Sequence, residues 1–115
     1  MKLTPSYWME KDILLLKAEP RPARVRVNPF DFMVRVDWDD PTRVVGFEIL
    51  DFGERFIPHL YDPEAIPVDV LAMRFDVPEA NLSDVDIREV LEWAYRHYCA
   101  ACLESVKRRD AVATA

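Results

Sequence analysis

Two cysteines in a Cys-x-x-Cys pattern, Cys99 and Cys102, are the first candidates for chemistry in this sequence of 115 residues. The pattern is typical of redox pairs and of zinc sites. A redox pair normally opens a helix, where backbone amides stabilise the thiolate, whereas this pair lies inside a predicted helix. A zinc site would need two further ligands, and His59 and His97 are the only histidines. We therefore interpret the cysteines as small residues in or near the core, and we expect no metal and no cofactor.

Three aspartates crowd one predicted hairpin tip and could hold a hard cation. Asp37, Asp39 and Asp40 do not have the spacing of a calcium loop. Aspartate side chains also bond nearby backbone amides in turns, and we expect this role here. Neither histidine has a neighbouring Ser–Asp or Cys–His arrangement, so we assign no catalytic residue.

Glu48 is a charged residue inside a mainly apolar run, residues 44–52. A glutamate in a cleft could act as an acid in catalysis. Residues 30–38 alternate between apolar and polar side chains and predict a neighbouring strand, in which Arg35 lies one diagonal step from Glu48. We therefore predict a structural ion pair between Arg35 and Glu48, on the face of the hairpin that points away from the core.

Five short runs predict five strands, at residues 2–7, 12–18, 24–28, 30–38 and 44–52. Short turns between them favour an antiparallel meander. The last run is expected at the centre of the sheet. The prolines before the third run favour an edge position for it, because proline cannot donate a hydrogen bond to a neighbouring strand.

A predicted loop at residues 39–42 sets the register of the last two strands. Every cross-strand pair on one face is then apolar, namely Val36 with Val45, Val34 with Phe47 and Phe32 with Ile49. On the other face Arg35 lies opposite Gly46, and Met33 lies opposite Glu48. The hairpin is therefore expected to have one core face and one charged face.

The second half of the chain predicts a connector at residues 58–82, followed by a long helix. The connector is rich in proline, with either a short helix or a strand near residues 67–75. Ser83 is a favourable N-cap and basic residues suit the negative helix end, so we predict a helix over residues 83–109. Its core stripe consists of Ile87, Val90, Leu91, Ala94, Tyr98, Ala101 and Cys102.

An apolar group on the opposite side of that helix is formed by Trp93, Ala100 and Leu103. Exposed tryptophan is a frequent interface anchor. These three residues are therefore the predicted surface for contact with a second copy or with another protein.

Composition limits the classes of function. Half of the residues are hydrophobic and 31% are charged, so the chain is expected to fold as one globular domain over residues 1–115. The net charge of −6 is unfavourable for a phosphate-binding surface, and we expect no nucleic-acid partner. No apolar run approaches the ~20 residues of a membrane span, and no signal segment opens the sequence. We therefore expect no membrane contact and a cytoplasmic location.

The first half of the sequence resembles a small bacterial family, the domain of unknown function 2283. Over residues 1–57 the matching positions are Tyr7, Asp12, Leu14, Asp37, Asp39, Gly46, Glu48, Ile49, Leu50 and Asp51. The chain departs from the family at Trp8 and Met9, where members tend to have Asp-Pro, and near Pro41, where they usually have glycine. The family has no established activity, and its members look like partners of small toxin-like proteins. The resemblance thus implies binding rather than catalysis.

The sequence as a whole predicts an α+β protein, a five-stranded antiparallel meander packed against a long C-terminal helix, with a non-enzymatic protein-binding or regulatory function. An acidic chain without a catalytic arrangement suits an antitoxin-like partner of a small basic protein, and a homodimer is expected. The alternative is a small enzyme that uses Glu48, Asp37 or His59 in a cleft. A pocket that unites these groups would favour the enzyme, and a flat apolar face would favour binding.

Overall fold

Five strands from the first half of the chain form one antiparallel sheet in the computed structural model, which describes residues 1–100. The strands are β1 (Thr4–Trp8), β2 (Ile13–Lys17), β3 (Ala23–Arg26), β4 (Phe32–Asp37) and β5 (Val44–Ile49). Helices and a second, two-stranded sheet follow in the second half. The α+β class and the five-stranded antiparallel sheet are thus confirmed.

The strand order is β1-β2-β5-β4-β3, so the predicted meander is wrong. In a meander β2 would pair with β3, whereas here it pairs with β5. Pro20 and Pro22 lie between β2 and β3, and they cannot donate the hydrogen bonds that a direct hairpin would need. The apolar β5 takes the centre of the sheet, as predicted, and the four-residue β3 takes the edge.

The register between β4 and β5 is the predicted one along most of its length. Four pairs agree, namely Phe32 with Ile49, Met33 with Glu48, Val34 with Phe47 and Arg35 with Gly46. The prediction is wrong at the next pair, because Val36 lies opposite Val44 rather than Val45. Val45 is the extra residue of a β-bulge, and its carbonyl accepts hydrogen bonds from both Ala18 (3.0 Å) and Glu19 (3.1 Å).

The second half of the described chain consists of short elements. They are α1 (Val68–Leu71), β6 (Phe75–Val77), β7 (Leu82–Val85) and α2 (Ile87–Ala94). Turns of π-helix lie at Phe52–Phe56 and Tyr95–Ala100, and 3₁₀ turns lie at Ile57–His59 and Pro78–Ala80. Within residues 1–100 no helix is both long enough and apolar enough to cross a bilayer.

The predicted start of the long helix is wrong. Ser83 lies in β7, which pairs with β6, and the N-cap of α2 is Asp86, whose side chain accepts a hydrogen bond from the Glu89 amide (2.9 Å). The helix α2 has eight residues before the π-helical turn, and residues 101–109 of the prediction lie outside the described residues. A short helix and a strand were the two alternatives for residues 67–75. The helix holds for the first part, since α1 ends at Leu71, and the strand holds for the end, since Phe75 is the first residue of β6.

The core lies between one face of the five-stranded sheet and the elements of the second half. The sheet contributes the fully buried side chains of Leu14, Leu16, Phe32, Val34, Phe47 and Ile49. The opposite layer contributes Phe75, Val77, Ile87, Val90, Leu91 and Ala94. The rings of Phe47 and Phe75, 5.6 Å apart and nearly perpendicular, join the two layers. The other face of the sheet makes no part of this core.

Candidate functional site

The side chains of β2, β4 and β5 that point away from the core form a surface that we call the open face. It consists of Ile13, Leu15, Lys17, Met33, Arg35, Gly46 and Glu48. Its apolar side chains are only partly buried and do not pack against the core. Trp8 and Val25 extend it onto the edge strands, with 52% and 46% of their surfaces exposed.

Two cross-strand rows organise the open face. In order across the sheet, the first row is Ser6, Leu15, Glu48 and Met33, and the second is Thr4, Lys17, Gly46, Arg35 and Val25. Directly opposed side chains on neighbouring strands lie about 5 Å apart. Lys17 and Arg35 therefore flank Gly46, whereas Glu48 stands between two apolar side chains.

Gly46 makes a notch in the open face. A Cβ atom at this position would lie 2.8 Å from the backbone oxygen of Leu16, so only glycine allows this approach of β5 to β2. The notch lies in a shallow depression of about 440 Å³. Its lining includes Leu15, Lys17, Arg35 and Glu48.

The charges of the open face are unevenly paired. Arg35 Nη1 lies 3.6 Å from Glu48 Oε2, so the structure brings these two side chains together. Both are partly exposed, and pairs of this kind contribute about 0–1 kcal/mol to stability. No acidic side chain among residues 1–100 forms an ion pair with Lys17. Its ammonium can therefore bind an incoming carboxylate.

A second charged group borders the notch after the end of β2. Glu19 lies 2.9 Å from Arg21 and 2.8 Å from Arg43, and Arg21 also lies 3.5 Å from Asp37. The hydrogen bond from Arg43 holds the pKa of Glu19 below its ordinary value. These pairs fix the chain between β2 and β3 against the start of β5, and they neutralise one another.

Two of the three aspartates at the β4–β5 hairpin, Asp37 and Asp40, accept hydrogen bonds from backbone amides of that hairpin, as predicted. Asp37 Oδ1 accepts hydrogen bonds from the amides of Asp39 (2.9 Å) and Asp40 (3.2 Å), which lower the pKa of the Asp37 carboxyl. Asp40 accepts a hydrogen bond from the Thr42 hydroxyl (2.6 Å). In the described part of the chain no group of three His, Cys, Asp or Glu side chains could hold a metal ion.

A hydrogen-bonded cluster that the sequence analysis missed joins the β1–β2 turn to the segment after β5. Asp12 accepts hydrogen bonds from the Tyr7 hydroxyl (2.6 Å) and from the amides of Gly53 (2.9 Å) and Glu54 (3.0 Å). Burial, and then the bond to Asp12, raise the pKa of Tyr7 far above its ordinary value. Asp12 and its amide partners are about 40 residues apart, so no local pattern reveals this contact. Only the resemblance singled out Tyr7 and Asp12.

Cys99 is buried beside this cluster, as the sequence predicts for a small core residue. Its sulfur would lie 3.1 Å from a Cβ atom on Gly53. The neighbouring Tyr98 ring stacks on Tyr7 with the centroids 5.3 Å apart. Cys102 lies outside the described residues. The Cys99 environment is that of a packed side chain.

His59 lines a smaller recess of about 280 Å³ on another part of the surface. Its Nδ1 lies 2.6 Å from Asp62 Oδ2, a pairing three residues along the chain that the sequence analysis did not consider. Glu54 and Arg55 also line the recess. Glu48 lies on the open face and Asp37 is the last residue of β4, and neither residue lines the recess.

Trp93 lies on α2, where it is half-buried. Its ring stacks on His97 with the centroids 4.9 Å apart, and its edge meets Tyr98 at 5.7 Å. Trp93 also packs against the core cluster, so part of its surface is already used within the fold. The Ala100 side chain and Leu103 lie outside what the structure describes.

Comparison of the chain with protein-family models, with curated proteins and with solved structures returns no match. The resemblance to the domain of unknown function 2283 therefore stays a prediction from the residues that carry it.

Proposed function

We propose that this chain is a non-enzymatic protein-binding module and that the open face is its contact surface. The observation that carries the proposal is the apolar character of outward positions on the sheet, at Ile13, Leu15 and Met33. An antiparallel sheet with one solvated face normally places polar residues at such positions. Apolar side chains there favour a surface that another protein covers.

The partner is, we infer, a small basic protein. The net charge of −6 attracts a basic partner and accelerates its encounter with the chain. The resemblance to the domain of unknown function 2283, whose members look like partners of small toxin-like proteins, implies the same class of ligand. The chain would then regulate its partner by binding to it rather than by catalysing a reaction.

The test is capture of partners by the purified chain with and without a change on the open face. Leu15→Lys places a charge at the centre of that face, and the fold tolerates it because the new side chain faces Glu48. We expect this variant to lose a partner that the wild type retains. Val68→Lys is the matched control, since Val68 is an aliphatic residue of α1 that is 78% exposed and lies off the open face.

The recess at His59 supports the alternative, a small enzyme, because Asp62 orients the imidazole. An enzyme and a binding module respond differently to the same variants. Retention of all partners by Leu15→Lys would contradict the binding proposal. An activity lost in His59→Ala and kept in Leu15→Lys would replace it with the enzyme.

A further inference from the structure

We propose that the open face binds a second copy of this chain, with Glu48 of each copy over Gly46 of the other, between Lys17 and Arg35. This inference rests on the proposed function for the contact surface alone, and it differs from it in the occupant, because a second copy is acidic whereas the proposed partner is basic. Three features carry it. They are the notch at Gly46, the cations on both sides of the notch, and the order of the two cross-strand rows.

The symmetry of a dimer sets the first condition. In a two-fold dimer every contact occurs twice: if one residue of the first copy contacts a second residue of the other copy, the second residue of the first copy contacts the first residue of the other. Glu48 and Gly46 meet this condition because they lie on one strand, two residues apart and on one face. A two-fold axis that runs across the strands, between their two rows, puts each Glu48 over the Gly46 of the other copy.

The same axis matches the remaining side chains. It places Lys17 opposite Leu15 and Arg35 opposite Met33, so the apolar side chains cover the aliphatic stems of the basic ones. The Glu48 carboxylate enters the shallow depression over Gly46, where no side chain stands. There it meets the ammonium of Lys17, which lacks an acidic partner within residues 1–100.

Two other face-to-face arrangements bring like charges together. An axis along β5 would put Lys17 of one copy against Arg35 of the other, since both flank Gly46 in the same row. An axis across the strands through the Glu48 row would put the two glutamates against each other. Like charges in direct contact destabilise an interface. The arrangement with Glu48 in the notch avoids both conflicts.

The charge of the open face also differs from that of the whole chain. The net charge of −6 makes two copies repel each other at long range. The two rows hold two cations, Lys17 and Arg35, and one anion, Glu48. The open face is therefore not acidic itself, and two copies can meet there with opposite charges paired.

The size of the face sets the expected strength of the dimer. Five strands ~4.8 Å apart, with about five residues each at ~3.3 Å, cover on the order of 400 Å² of flat area. Stable interfaces usually bury about 800 Å² of accessible surface per partner. We therefore expect a dimer that forms at high protein concentration and dissociates on dilution.

Two charge reversals test the arrangement by sedimentation velocity over a concentration series. Lys17→Glu should weaken the dimer at least about tenfold, because Glu48 of the other copy then meets an acid, and Glu48→Lys should do the same through repulsion between cations. The decisive measurement is an equimolar mixture of the two variants. In the mixed dimer the new lysine meets the new glutamate, and the native Glu48 meets the native Lys17, so dimerisation should return.

Two controls separate this result from loss of folding and from another interface. Glu89→Lys reverses an exposed charge on α2, away from the open face, and should leave the dimer intact. Thermal unfolding checks the fold of each variant. If Glu48→Lys does not fold, Glu48→Gln and Lys17→Ala replace the reversals, and each should weaken the dimer severalfold because one charge of the contact is lost.

Three outcomes would overturn the proposal. They are a monomer at every concentration of the wild type, a mixture of the two variants that stays monomeric, and a dimer that Trp93→Glu abolishes but Lys17→Glu does not. The last outcome would assign the interface to the group of Trp93, Ala100 and Leu103 that the sequence predicts. A monomeric wild type whose Leu15→Lys variant still loses a captured partner would reject the dimer and leave the proposed function in place.

Discussion

Several aspartate side chains among residues 1–100 accept hydrogen bonds from backbone amides. Asp37 closes its own loop, Asp12 joins two distant segments, and Asp76 accepts a hydrogen bond from the amide of Asp84 (2.9 Å). The bond from Asp84 is also what lowers the pKa of Asp76. The role of Asp37 could be predicted because its partners are two and three residues away. The role of Asp12 could not, because it depends on where the fold brings residues 53 and 54.

The bonds to Asp37 predict how stability changes with pH. The amides of Asp39 and Asp40 lower the pKa of this carboxyl in the folded state, so its contribution is present above the unfolded pKa of ~3.9 and is lost as pH falls through the lower folded value. Asp37→Asn removes this contribution. The melting temperature of the variant should be lower than that of the wild type near neutral pH, and the two should converge in acid.

Circular dichroism melts at a series of pH values provide this measurement. Asp39→Asn is the matched control, since the Asp39 side chain is exposed and belongs to the same loop. A constant difference between wild type and Asp37→Asn at every pH would show that the carboxylate charge has no part in the loop.

At the scale of elements, local sequence predicted where the strands lie better than it predicted which strands pair with each other. The alternation in residues 32–37 and the apolar run at 44–49 are strong signals for strands, and the pairing between them follows from a short loop. The pairing of β2 with β5 joins strands far apart in the sequence, and no local pattern encodes it. The N-cap preference of Ser83 was likewise overridden, because pairing with β6 holds that residue in β7.

Gly46 is the residue on which the β2–β5 pairing depends most directly. In Gly46→Ala the new methyl group would lie 2.8 Å from the carbonyl oxygen of Leu16, which is a backbone atom and cannot rotate away. We expect a loss of about 2 kcal/mol or more in the free energy of unfolding, measured in urea. Ser6→Ala, a small change at an exposed position of β1, should change it by less than about 0.5 kcal/mol. Equal stabilities of Gly46→Ala and the wild type would contradict the close approach of the two strands.

For the molecule as a whole, the core lies on only one face of the five-stranded sheet. The sheet is covered by the second half of the chain on the face that carries Leu14, Val34 and Phe47, and its other face contributes nothing to this core cluster. Sequence patterns predicted which side chains turn inward. They could not predict what lies over each face, because that depends on how the elements after β5 pack in three dimensions.

The strand order predicts how protection against amide hydrogen exchange is distributed over the molecule. β5 is paired on both sides and carries buried side chains, so its amides should exchange close to the rate of global unfolding. β3 is a four-residue edge strand with mostly exposed side chains, and its amides should exchange fastest among the five strands. Exchange followed residue by residue by NMR checks both statements. Equal protection of β3 and β5 would mean that another chain covers this edge in solution.

The place of β5 between β2 and β4 also matters during synthesis of the chain. A ribosome releases β2 well before β5, since β3 and β4 are made in between. At a synthesis rate of about 5–20 residues per second, the second edge of β2 stays unpaired for on the order of seconds, until β5 has been made. During that time Leu14 and Leu16 have no core to enter, and the nascent hairpin offers an apolar strand to any chaperone, or to another unfinished copy, that reaches it first.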